Sequence, residues 1–113
     1  LFIDPDMRQI EIAKALGAKA VEIQTARYSE ARTPADRERE LSLLRESADY
    51  ARNHGLHIHL GHGLTYENVA AVCRIPGVEE LNIGHSIVSR AVLVGMERAV
   101  REMKDAIGRA GRG

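Results

Sequence analysis

The sequence predicts an α/β fold of four consecutive β-α units with parallel strands. Two observations carry this. Short apolar runs alternate four times with longer stretches of helical periodicity, and strands that alternate with helices are joined by right-handed crossovers into a parallel sheet. Each unit is about 28 residues long, so four make half of a TIM (β/α)8 barrel of about 250 residues. An open four-stranded sheet is the competing architecture. The chain, 1–113, reads as a single partial domain with 108–113 as a flexible tail.

The first strand is the run LFI, ending at Asp4. Asp4 is expected to cap the first helix, with Pro5 in its first turn. Ile10, Ala13 and Leu16 mark the buried face of that helix, and Gly17 ends it. KAVEIQT (19–25) is the second strand, followed by a polar connection. Thr33 then caps a long helix, Pro34 takes its first position, and Asp36 sits near the positive end of the dipole. Leu41, Leu44, Ala48 and Ala51 line the buried face, and Gly55 terminates the helix. LHIHL (56–60) is the third strand. Thr65 opens a short helix through Val72, and Pro76-Gly77 makes a turn. EELNI (79–83) is the fourth strand. Ser86 is expected to cap one long last helix with an apolar stripe of Val88, Ala91, Val92, Met96, Ala99, Val100, Met103 and Ile107. The tail GRAGRG reads as a frayed, solvated end.

Sixteen basic and sixteen acidic residues cancel, which gives no electrostatic reason to expect nucleic-acid or membrane partners. No apolar run approaches the roughly 20 residues needed to cross a bilayer. The opening LFIDPDMRQIE turns acidic after three apolar residues, unlike a signal peptide. Cys73 is the single cysteine, so no internal disulfide forms and a reducing, cytoplasmic location is expected. No neighbouring charges activate it, so a buried structural thiol is expected. The chain begins with Leu1 inside a strand, which leads us to expect a longer parent chain.

Ligands of parallel α/β proteins bind at the C-terminal ends of the strands. Three polar groups fall on that rim: Glu22 in the second strand, His62 after the third and His85 after the fourth. A carboxylate and two imidazoles at one mouth suit proton transfer. The alternatives are structural. Glu22 could pair with a buried Lys or Arg, and His62 and His85 could cap the helices that follow them. Glycines favour the functional reading. Gly61 and Gly63 flank His62 and Gly84 precedes His85, and glycine lets a ligand approach backbone N–H groups closely. Such groups at a helix start bind anions. HIHLGH also resembles a metal cluster of His57, His59 and His62, but strand alternation puts His57 and His59 on one face and His62 on the other. Arg27 and Tyr28, in the loop after the second strand, are expected to be solvated, with contact to substrate as the alternative. Arg90 is placed equally well at the surface or at a phosphate.

LFID, VEIQTARYSEA, GHGLTYENV and ELNIGHSIVSRAV, in that order and spacing, resemble the pyridoxine 5'-phosphate synthase family. GHGLTY followed by LNIGH is the specific part. The family is a TIM barrel, and this chain resembles its C-terminal half only. The resemblance implies condensation of 1-deoxy-D-xylulose 5-phosphate with 3-amino-2-oxopropyl phosphate to pyridoxine 5'-phosphate, phosphate and water, in vitamin B6 biosynthesis, with no cofactor and no metal. It implies Glu22 as transition-state stabiliser, His62 as proton donor, Gly63 as a contact to the deoxyxylulose phosphate, and Gly84 and His85 as contacts to the amino ketone phosphate. It also implies a homo-oligomer for the parent protein. Gln24 and Ala26 depart from the family's EIHTG pattern, where histidine and glycine stand. The family's other base residues and most of its substrate arginines lie in the N-terminal half, so the isolated chain is expected to be inactive. Two other readings stay open: a different phosphate-binding barrel enzyme, and a non-catalytic half-barrel that self-associates through its exposed edges.

Overall fold

A computed structural model describes residues 1–112. Four strands, β1 (Phe2–Ile3), β2 (Ala20–Gln24), β3 (His57–Gly61) and β4 (Val78–Asn82), form one parallel sheet in the order β1-β2-β3-β4. The helices are α1 (Met7–Ala15), α2 (Ala26–Glu30), α3 (Pro34–Asn53), α4 (Val69–Cys73), α5 (His85–Val94) and α6 (Met96–Arg112). None of the helices described is long and apolar enough to cross a membrane.

The strand order equals the chain order, so each strand lies beside its sequence neighbour. Val21 and Ile23 of β2 and Ile58 and Leu60 of β3 join Ile10 of α1, Leu44 and Ala48 of α3, Val72 of α4 and Met103 of α6 in one apolar cluster. Residues of the other parity, among them Glu22, His57, His59 and Asn82, point to the opposite face, as strand alternation requires. That face is polar and open: His57, Glu80 and Asn82 are exposed.

A register shift in the β3–β4 pairing sends Ile58 to Val78 and His59 to Glu80, leaving Glu79 as the extra residue. Val78 and Leu81 differ in parity, so strict alternation would turn one of them away from the core. The bulge lets both pack against it. Glu79 itself meets His57, at 2.9 and 3.0 Å.

Several boundaries differ from expectation. Asp6, not Asp4, caps α1 by accepting from the Arg8 N–H, while Asp4 bonds Gln9 and Gln24. Leu16 is 72% exposed, because the helix ends at Ala15 and Leu16, its C-cap, lies beyond the packed face. Thr33 and Pro34 begin α3 as expected, Thr33 accepting from the Asp36 N–H at 3.1 Å. The polar connection after β2 contains a short helix, α2, whose Tyr28 is buried and donates to the Asn68 carbonyl. Thr65 starts a turn closed by reciprocal bonds with Asn68 rather than the helix itself. The last helix is two helices, broken at Gly95 with φ 90°. The break leaves Val88, Val92 and Met96 exposed, while Ala99, Met103, Ala106 and Ala110 are buried and Ile87 and Ile107 pack against the core. Helix α6 runs through Gly108 to Arg112, so the tail expected to fray is helical to that point; residue 113 lies outside the described residues.

Arg90 on α5 donates to Glu102 on α6 at 2.9 and 3.3 Å, and Arg98 donates at 3.0 Å. The Arg90 and Arg98 bonds hold the Glu102 carboxyl down from the ordinary 4.5 to about 2. Because the folded carboxyl is the stronger acid, the cluster stabilises the α5–α6 pair above about pH 4.5 and loses that contribution as pH falls towards 2.

Two stability measurements check this description. Leu60 is fully buried at the sheet centre, so Leu60→Ala should cost about 2–5 kcal/mol by urea denaturation; a loss within about 0.5 kcal/mol, the scale of a surface change, would contradict the packing. Glu102→Gln should lower the melting temperature at neutral pH, with the gap to wild type closing as the pH is taken down to about 2. A gap independent of pH would contradict the ion cluster.

Candidate functional site

The C-terminal ends of β2, β3 and β4 share one edge because the strands are parallel and nearly in register. At that edge lies a cleft of about 750 Å³, within the range of small-molecule sites. All five residues expected from the sequence, Glu22, His62, Gly63, Gly84 and His85, line it, with Phe2, Asn82 and Ile83.

Glu22 is half-buried and forms no ion pair with Lys or Arg among the described residues. The structural pairing considered for it does not form. Its carboxylate leans towards the strand ends and crosses β3 above Gly61. A Cβ at Gly61 would lie 2.9 Å from Glu22 Oε2 and 3.0 Å from Asn82 Cβ. On the far side, Asn82 Nδ2 donates to Glu22 Oε1. Asn82 escapes sequence reasoning because its partnership with Glu22 depends on the β2–β3–β4 register, which a single sequence does not state.

His62 leaves the strand. It is the one non-glycine residue with positive φ, 82°, among the described residues, and Gly63 follows at 85°. For a side chain with a Cβ this region costs about 1–3 kcal/mol. His62 does not act as a helix cap, since α4 begins only at Val69. The loop is tied on both sides. Thr25 Oγ1 donates to the carbonyls of Gly61 and His62 at 2.9 and 2.6 Å. Ser86, expected to cap the last helix, instead donates its hydroxyl to the Leu64 carbonyl at 2.7 Å. Gly84 takes the N-cap position of α5 and His85 is its first residue, so the N–H groups of the first turn have no partners within the helix. They sit at the positive end of the dipole, where anions bind. His62 and His85 are both exposed to the cleft.

The remaining candidates fall elsewhere. His57 pairs with Glu79, and His59 lies 3.6 Å from Glu80, one layer below the rim. Among the described residues no three His, Cys, Asp or Glu side chains gather as metal ligands would. Arg27 is exposed and Tyr28 is buried rather than solvated. Arg90 is engaged with Glu102. Burial pushes the Cys73 thiol up, an effect larger than the lowering by Arg74, so nothing activates it.

With this geometry in view, comparison with known proteins is informative. The family described as pyridoxal phosphate biosynthesis protein PdxJ matches residues 1–109. The chain belongs to the PdxJ family. Among curated members, the chain is similar to a pyridoxine 5'-phosphate synthase of a Synechococcus species, 58% identical over 96% of this chain and 45% of the relative. It is similar to one from Trichodesmium erythraeum, 57% identical over 95% of this chain and 45% of that protein. A third, from Syntrophotalea carbinolica, is 53% identical over 97% of this chain and 46% of its own length. The match thus takes in nearly all of this chain, which spans a little under half the length of these PdxJ relatives.

The backbone at His62 makes a direct prediction. His62→Gly relieves the left-handed strain, so it should leave the fold as stable as wild type or up to about 1 kcal/mol more stable. Denaturant titration checks this; a clear destabilisation would contradict the strained geometry.

Proposed function

We propose that the protein carrying this chain is a pyridoxine 5'-phosphate synthase, that these four β-α units are half of its TIM barrel, and that Glu22, His62, Gly63, Gly84 and His85 are their share of its active site. One observation carries the proposal. In a chain of the PdxJ family, these five residues meet in one cleft at the C-terminal edge of a parallel sheet.

The reaction joins 1-deoxy-D-xylulose 5-phosphate to 3-amino-2-oxopropyl phosphate. An amine and a ketone form an imine with loss of water, a new carbon–carbon bond closes the ring, and phosphate and further water depart. Atoms balance without an oxidant or reductant, so the proposed chemistry calls for no redox cofactor. Each elimination needs a proton at the leaving oxygen. His62, projecting into the cleft from a strained turn, is suited to donate it. The iminium stages carry positive charge, and a Glu22 carboxylate held in place by Asn82 favours them electrostatically without reorganising. Two phosphate groups need two anion sites. The unpartnered N–H groups at Gly84–His85 fit the amino ketone phosphate, and Gly63, without a side chain, leaves room for the deoxyxylulose phosphate.

The open polar face of the sheet supports a barrel interior completed by further strands, and an incomplete site accounts for the proposed inactivity of the 113-residue chain alone. The parent enzyme is proposed as a cytoplasmic homo-oligomer.

The test is an assay of the full-length protein with both substrates, following pyridoxine 5'-phosphate. Wild type should form it. His62→Ala should lower kcat by about 10²-fold or more, and Glu22→Gln by about 10²–10³-fold. Absence of product from wild type, or losses under tenfold in both variants, would contradict the assignment.

A further inference from the structure

Thr25 occupies the N-cap position of α2, where a threonine hydroxyl ordinarily accepts from the helix's own first-turn N–H groups. Here its side chain makes no such bond. The residue is 1% exposed. Its hydroxyl turns the other way and donates to the carbonyls of Gly61 and His62 at 2.9 and 2.6 Å, the shorter contact going to His62. Its backbone N–H also donates to the Gly61 carbonyl, at 2.7 Å. The loop receiving these bonds holds the one non-glycine positive φ among the described residues, His62 at 82°. On its next residue, the loop is pressed onto α2: a Cβ at Gly63 would lie 3.0 Å from Ser29.

We infer that Thr25 is a positioning residue for His62: its hydroxyl fixes the His62 carbonyl and so holds the left-handed backbone that projects the imidazole into the cleft. The inference rests on the reading of His62 as proton donor. The physical reason is local. A histidine with ordinary extended backbone would continue the β3 alternation, with its ring directed by the strand. The turn at 62 re-aims the ring, and a conformation that L side chains avoid persists only where its surroundings hold it. The methyl of Thr25 contributes packing; the hydroxyl contributes the restraint, and the two are separable by substitution.

The experiment compares Thr25→Val, which keeps the shape and removes the hydroxyl, with Thr25→Ser, which keeps the hydroxyl, in the full-length protein. Thr25→Val should lower kcat about 10–100-fold with KM within about twofold, as expected for a misplaced acid, and Thr25→Ser should recover to within about threefold of wild type. In a His62→Ala background Thr25→Val should have no further effect on kcat, because a residue acting through His62 has nothing left to act on. Equal losses with and without His62, or a Ser variant as poor as Val, would overturn the inference. A second readout needs no turnover. In ¹H–¹³C spectra of the imidazoles, Thr25→Val should shift or broaden the His62 ring signal and leave His54, at the C-cap of α3 before the start of β3, unchanged. An unperturbed His62 signal would overturn the inference. If wild type forms no pyridoxine 5'-phosphate, the functional reading fails by itself and the ring signal still decides the role of Thr25.

Discussion

The parallel register of β2, β3 and β4 determines which side chains can meet. Glu22 stands opposite His59, and His59 opposite Glu80; one layer higher, Gln24, Gly61 and Asn82 are aligned. Glu22 belongs to the lower layer but its carboxylate lies in the upper one, because Gly61 leaves the space for it to cross and Asn82 supplies a donor on the other side. Slipping β2 by one residue would send Glu22 to the helix-covered face and bring Val21 or Ile23 to the open one. The apolar cluster that opposes this slip therefore also sets the position of the carboxylate.

Above the strands, regular hydrogen bonding ends and the geometry passes to individual side chains. Two hydroxyls join three successive loops. Thr25 connects the end of β2 to the turn after β3, and Ser86 connects the chain beyond that turn to the start of α5. Neither α2 nor α5 has a side-chain cap: Thr25, at the N-cap of α2, is turned to the other loop, and the N-cap of α5 is Gly84, which has no side chain. For α5 this has a functional side, since uncapped N–H groups face the cleft and are available to an anion. The strained backbone at His62 sits between these two ties, which is where a conformation of that kind can be maintained.

Much of this was legible in the sequence, for identifiable reasons. Strand and helix alternation, the start of α3 at Thr33-Pro34 and its buried positions Leu41, Leu44, Ala48 and Ala51 follow from periodicity and cap chemistry, which are local. His62, Gly63, Gly84 and His85 were legible because Gly-His steps at strand ends combine a permissive backbone with a titratable ring, Glu22 because it is a carboxylate on a neighbouring strand, and the family resemblance assigned roles to all five. What was not legible depends on contacts between distant segments. Ser86 reads as the cap of the last helix and Thr25 as the end of a strand, yet the hydroxyls of both bond to the loop after β3. Tyr28 in a polar stretch reads as solvated, yet it reaches the Asn68 carbonyl. A continuous apolar stripe reads as one helix, yet Gly95 divides it and leaves the first part uncovered. Asn82 had no local signal at all.

The central claim is that the loops after β3 and β4 form one anion-binding mouth at the C-terminal edge of the sheet. Titrating ¹⁵N-labelled full-length protein with inorganic phosphate tests it directly. The account predicts saturable shifts of the Gly63, Gly84 and His85 amides, with Gly17, Gly55 and Gly77, which precede the strands at the opposite edge, unaffected. Shifts confined to that opposite edge, or none at the Gly-His loops at millimolar phosphate, would contradict it.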